Sequence, residues 1–169
     1  MTKYVALLRA VNLAGTNRIA MSDLKCMCES AGLSKPRTYI TSGNVVFESN
    51  RSESSVKATL ERCVAVHAGK PIEVLVRTGR EMAAVLAGNP FKSGAPNRTV
   101  AIFLDEPPAK DTLKTVTGQR TEQIALGTRE IYVHYRNGIG NSRLKIPAGK
   151  RGTARNMNTI AKLTEWTAK

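Results

Sequence analysis

The chain is poor in aromatic residues, histidine, cysteine and acid. Phe, Trp and Tyr make up 5% of its 169 residues, and there are two histidines and three cysteines. Asp and Glu number 13 against 26 Lys and Arg. No apolar run approaches the ~20 residues of a membrane span, so membrane insertion is not expected. The N-terminal apolar stretch is broken by Arg9 and has no small-residue cleavage site after it. It reads as a buried strand, not a signal peptide. An odd, sparse set of thiols in a chain with an adequate core does not build a disulfide scaffold and points to a reducing compartment, with cytoplasm the default.

The same scarcities narrow the chemistry. Cys26 and Cys28 stand two apart on an expected helix and point to different faces. Cys63 and His67, four apart, share a face, but the first pair cannot converge on zinc, so no metal and no cofactor are expected. Acid–base hydrolysis finds little support, because the polar segments hold no carboxylate to orient a histidine. Phosphate-loop and dinucleotide fingerprints are absent: no G-x-x-x-x-G-K-[ST] occurs, and Gly138-Ile139-Gly140 lacks the third glycine.

What is present is a globular composition, 41% apolar and 23% charged. A chain of this length buries roughly 70% of its unfolded surface and needs no covalent staple. The net charge of +13 predicts attraction to polyanions such as nucleic acid.

Periodicity gives the order of elements. Residues 3–9 read as a central strand. Ser22 is placed to cap a helix with Leu24, Met27, Cys28 and Ala31 inward, and Gly32 to end it. Residues 37–41 and 44–48 form a hairpin across Ser42-Gly43. Ser52 caps a second helix, and a strand follows at 72–77. Thr78 and Glu81 make a capping box for a short helix ending at Gly88. The order β-α-β-β-α-β is that of a ferredoxin-like unit, so the fold class is α+β. Residues 1–88 form this half, 89–98 a connector, and 99–169 a second, similar α+β half, expected to pack with the first as one globule. There a strand at 99–104, a helix carrying Ala109, Leu113 and Val116, a hairpin across Gly127-Thr128 and a short helix near 141–145 precede a last helix. Thr153 is read as its cap, with Met157, Ile160 and Ala161 inward. The shared order suggests duplication, without a residue-level repeat.

No acid occurs between Glu130 and Glu165, while Arg136, Arg143, Lys145, Lys150, Arg151, Arg155 and Lys162 do. If a helix begins at Thr153, then Lys150, Arg151, Arg155 and Asn156 crowd its N-terminus, where cations are misplaced unless an anion binds. The alternative is a capped helix with solvated basic residues. The turn 41–44 offers Ser42 and Asn44, though turn chemistry with Gly43 at positive φ is the favoured reading, and the amide-rich loop 12–18 either lines a site or is simply a loop. On the strand at 130–136, His134 alternates with Tyr132 and Arg136, as on the wetter face of an edge strand. An RNA-stacking platform is not evident, since the expected aromatic pair on the third strand is missing.

The segments YVALLRAVNLAGTNRIAMSDL, RTYITSGNVVF, NPF and GTARNMNTIAKL resemble the family known as domain of unknown function 1697, over essentially the whole chain. That family usually carries Gly at Ala10, Gly at Ala14 or Thr16, Gln at Thr41 and Trp at Met157, so this chain departs from it there. The resemblance implies a ferredoxin-like α+β fold with a paired second half and a bacterial cytoplasmic setting, and it carries no activity with it. It also marks a polar signature: Arg9, Asn12, Asn17, Ser42, Gly43, Asn44, Thr153, Arg155, Asn156, Asn158 and Thr159. Such groups bind an anion or a sugar, or they tie loops together.

Three functions follow as expectations. The first is binding of a phosphate-bearing anion, with Lys150, Arg151, Thr153 and Arg155 at the centre and Arg9 and Asn12 nearby; a nucleotide fits this description. The second is sequence-tolerant nucleic-acid binding over the basic surface. The third is a transferase-like enzyme using the signature residues. Oligomeric state is not encoded in any feature of the sequence.

Overall fold

Tyr4 to Leu8 are buried without alternation, as a strand paired on both sides requires. The structure, a computed structural model, describes residues 1–13, 15 and 17–168. It divides into two units, Met1–Met82 with Leu163–Lys169, and Ala83–Lys162.

In the first unit, strands β1 (Thr2–Leu8), β2 (Ser34–Tyr39), β3 (Asn44–Ser49) and β4 (Val74–Thr78) form an antiparallel sheet in the order β2-β3-β1-β4. Helices α1 (Met21–Ser30) and α2 (Glu53–Ala68) cover one face. Their Leu24, Cys28, Val56, Leu60 and Val64 pack with Tyr4, Ala6, Leu8, Val45, Phe47, Val74 and Val76. This is the ferredoxin-like arrangement expected. Ser52 Oγ accepts from Ser55 N at 3.2 Å and caps α2 as read from the sequence. Ser22 does not cap α1, which starts two residues earlier than that cap would place it, behind Ala20 without a side-chain cap. Tyr4 and Phe47 stack on each other at 5.7 Å within this helix-covered core. They are therefore not available to stack bases.

Helix α3 (Gly79–Ala87) opens with the expected capping box. Glu81 N donates to Thr78 Oγ1 at 3.1 Å, and Thr78 N donates to Glu81 Oε1 at 3.0 Å. Near the C-terminus the Arg37 guanidinium lies 3.5 Å from the Trp166 ring centroid, and Tyr39 meets that ring edge-on.

The second unit repeats the strand order. Strands β5 (Thr99–Phe103), β6 (Gln123–Leu126), β7 (Glu130–His134) and β8 (Thr153–Asn156) are ordered β6-β7-β5-β8. Its helices do not repeat. The segment after Pro107-Pro108 forms only a 3-10 turn, Thr112–Thr115, and Leu113 is exposed. Residues 141–145 likewise form no helix; a 3-10 turn lies at Ile139–Asn141. Strand β7 is interior, paired with β5 and β6, so the face carrying Tyr132 is not a wet edge. Tyr132 is buried and its hydroxyl donates to Val85 O at 2.7 Å.

The largest correction concerns Thr153. It does not cap a helix: residues 153–156 are strand β8, and α4 (Met157–Thr167) begins after them. Asn156 is the cap, its Oδ1 accepting from Thr159 N at 3.0 Å. Met157 and Ile160 are buried as expected, but Ala161 is exposed and Leu163 takes its place inside.

The corrected register exposes a repeat that the residues alone concealed. Arg77 lies opposite Val5 on β1, and Arg155 lies opposite Ala101 on β5. Each is the penultimate residue of its strand and is buried. Each donates Nη1 to the carbonyl just before it, Val76 O at 3.1 Å and Ala154 O at 2.9 Å. The next residue, Thr78 or Asn156, caps the helix that follows.

Candidate functional site

The signature residues fall into two groups. Arg9, Asn12, Asn17, Ser42 and Asn44 lie in the first unit, on the loop after β1, the β2–β3 turn and the first position of β3. Lys150, Arg151, Thr153, Arg155, Asn156 and Asn158 lie in the second, around β8 and the start of α4.

In the first group the amides stitch backbone to backbone. Asn12 and Asn17 have φ of 53° and 49°, the left-handed region that Asn tolerates better than most residues. Asn12 Nδ2 donates to Ile19 O at 2.9 Å and to Thr41 O at 2.7 Å, and its Oδ1 accepts from Ile19 N at 2.9 Å. Asn17 Nδ2 donates to Ala10 O at 2.9 Å. Asn44, fully buried, donates Nδ2 to Tyr39 O at 2.9 Å and Ser42 Oγ at 2.8 Å. Gly43 has φ of +87°, and a Cβ there would stand 2.6 Å from Val11 Cγ2 and 2.9 Å from Leu8 Cβ. Only glycine suits both the dihedral and the space. A cleft of about 530 Å³ beside these loops includes Asn12, Arg18 and Thr41, but also Asp23 and His67. The Asp23 carboxylate places negative charge where an anion would sit.

The second group splits by burial. Lys150, Arg151 and Asn158 are exposed, while Thr153 and Arg155 are buried. Arg155 Nη1 donates to Thr153 Oγ1 at 2.6 Å. The two side chains leave the same face of β8, as a two-residue spacing on a strand dictates. Burial pushes the Arg155 guanidinium down to about 10, which still leaves it charged at neutral pH. Lys150 and Arg151 occupy the turn before β8, so no helix N-terminus lies behind them.

Sequence reasoning missed two features. Arg77 is wholly buried on β4; its alternation with Leu75 on the face away from α1 and α2 was the available signal. The other is a cleft of about 580 Å³ in the second unit, lined by residues that include Arg120, Glu122, Asn137 and Arg143. Among the described residues, no three His, Cys, Asp or Glu side chains converge as metal ligands would. Nor is any helix among them long and apolar enough to cross a membrane.

The model of a family described as "Protein of unknown function (DUF1697)" matches residues 1–132. The chain belongs to that family. The DUF1697 match takes in the β1 loop, the β2–β3 turn and NPF, while GTARNMNTIAKL lies beyond it. A solved structure of a conserved bacterial protein from Streptococcus pneumoniae is similar over 100% of this chain and 99% of that one, at 26% identity and a TM-score of 0.83. No curated protein matches the chain significantly. Ala10 has φ of 55°, a conformation that glycine adopts without cost. Met157 is buried at the start of α4. Ala14 and Thr16 lie outside the described residues.

Proposed function

We propose that this protein binds a phosphate-bearing anionic ligand through the basic surface of its second unit. The observation that carries this reading is a stretch of one charge sign. From Ile131 to Thr164 there is no Asp or Glu, and Arg136, Arg143, Lys145, Lys150 and Arg151 are all exposed. Exposed cations on a stretch of chain that carries no acid attract anions. Within the signature, Lys150, Arg151 and Asn158 supply the accessible groups. Thr153 and Arg155 shape the adjoining strand by bonding to each other. Arg9, Asn12, Asn17, Ser42 and Asn44 belong to the other unit, and the amides among them serve its loops.

The net charge of +13 favours a second reading, sequence-tolerant binding of nucleic acid by phosphate contacts. One experiment separates the two. Labelled single-stranded RNA and DNA are titrated by fluorescence anisotropy at several salt concentrations, and phosphorylated small molecules by calorimetry. Wild type is compared with Lys150→Ala/Arg151→Ala. Tight nucleic-acid binding that falls steeply with salt supports the second reading. Saturable binding of a phosphorylated small molecule, weakened in the variant, supports the first. Absence of both overturns both. A reducing bacterial cytoplasm is the proposed setting, in keeping with free Cys26, Cys28 and Cys63.

A further inference from the structure

The cleft of about 580 Å³ in the second unit sits where the β6–β7 hairpin opens. Gln123 and His134 are its last paired residues; Arg120, Thr121 and Glu122 precede the one, and Tyr135, Asn137 and Gly138 follow the other. Asn141, Ser142 and Arg143 close the third side. The volume is that of a small-molecule site, roughly 300–1,000 Å³.

Its walls are braced by bonds that do not use the arginine side chains. Thr117 and Lys145 exchange both backbone bonds, at 3.0 and 2.8 Å, and so clamp the segments that carry Arg120 and Arg143. Gly118, with φ of +73°, allows the backbone at Arg143 to approach so closely that a Cβ would collide with Arg143 O. Asn137 Nδ2 donates to Thr121 Oγ1 at 3.1 Å, tying the two ends of the hairpin. Arg120 and Arg143 both line the cleft and are exposed.

The lining is bipolar. Two guanidinium groups suit a phosphate. Glu122 repels one, and its Oε1 accepts the Arg120 backbone N–H at 3.0 Å; a carboxylate with further acceptor capacity suits hydroxyl donors. The amide and hydroxyl groups of Asn141 and Thr121 suit the same. The one aromatic ring, Tyr135, packs against the Val100–Val133 core cluster, so it offers poor stacking for a base.

We infer that this cleft binds a small phosphorylated polyol of the sugar-phosphate class, Arg120 and Arg143 holding the phosphate and Glu122 with its polar neighbours the hydroxyls. The inference rests on the reading of the second unit as anion-binding and gives it a site and a ligand class.

The test is calorimetric titration with ribose 5-phosphate, glucose 6-phosphate and glycerol 3-phosphate, with ribose and inorganic phosphate as controls. Wild type is compared with Arg120→Gln, Arg143→Gln and Lys150→Ala/Arg151→Ala, each first shown to melt like wild type. At least one phosphorylated polyol binds more tightly than inorganic phosphate. Either arginine substitution weakens it about tenfold or more, the loss expected for a charge-assisted hydrogen bond, and by more than the Lys150/Arg151 variant does. Weakening only in the Lys150/Arg151 variant overturns the cleft and leaves the proposed function standing. Equal affinity for phosphate and all three polyols overturns the ligand class. No binding by any of these phosphate compounds overturns this inference, and the anion reading falls with it only if the titrations under the proposed function also show no binding.

Discussion

Asn12 Nδ2 lies 2.7 Å from Thr41 O, joining the loop after β1 to the β2–β3 turn across 29 residues of chain. The same amide group holds both backbone atoms of Ile19, which is buried. A signature side chain thus works as a bracket between loops.

Asn12→Ala removes all three bonds and leaves partly buried backbone groups without them. Loss of about 1–3 kcal/mol of stability is expected, measured by urea unfolding. Ligand affinity in the second unit is expected to stay at the wild-type value. An unchanged unfolding midpoint would show that these bonds contribute little and would return Asn12 to the list of ligand-contacting residues.

Backbone conformation gives a pair of opposite effects. Ala10 holds φ of 55° while exposed, so Ala10→Gly relieves strain and loses no packing. A gain of about 0.5–1 kcal/mol is expected. Gly43→Ala meets both the strained φ and the Val11 and Leu8 side chains, and a loss of about 1–3 kcal/mol or more is expected. Thermal melts of the two variants side by side check both signs. A destabilised Ala10→Gly would mean that chain entropy outweighs the relief.

Alkaline pH acts through Cys28. Burial, then the nearby Cys63 and Glu29, push its thiol up from 9.0 to about 12. Between those values the unfolded chain releases a proton that the folded chain keeps, so stability falls as pH rises. Burial raises Tyr132, from 10.0 to about 12, and Tyr135 in the same sense, adding to the fall. Urea midpoints at pH 8 and pH 10 should therefore differ less in Cys28→Ala than in wild type. At pH 8, alkylation of the native protein should reach exposed Cys26 well before Cys28. Equal rates would contradict the burial that both expectations rest on.

Legibility of the fold followed locality. Ser52 and the Thr78–Glu81 pair could be placed from the sequence because a cap depends on residues three apart. The stripes Leu24/Cys28 and Val56/Leu60/Val64 were legible for the same reason: each faces one core. The misreadings came where tertiary packing overruled a local signal. Thr153 before Arg155 and Asn156 resembles a helix start, yet pairing with β5 claims residues 153–156 for the sheet. Asp105-Glu106-Pro107-Pro108 also resembles a helix start. The following segment buries little apolar surface, Leu113 remaining exposed, and a short helix without a packed face is marginal. Of the candidate site, the acid-free basic stretch was legible in composition. The cleft around Arg120 and Arg143 was not, because it depends on the Thr117–Lys145 bridge between segments 28 residues apart in sequence.

By itself the sequence determined the α+β class, the ferredoxin-like first half, the free thiols and the excess of positive charge, since each follows from composition or from contacts within a few residues. Only the tertiary structure decided that Arg77 and Arg155 are equivalent buried arginines, and that Asn12, Asn17 and Asn44 bond to loop backbone. It alone converted the second half's expected helices into turns and a fourth strand. The reason is physical: strand pairing, burial of a charge and closure of a loop are settled by partners distant in sequence, and no local propensity records who those partners are.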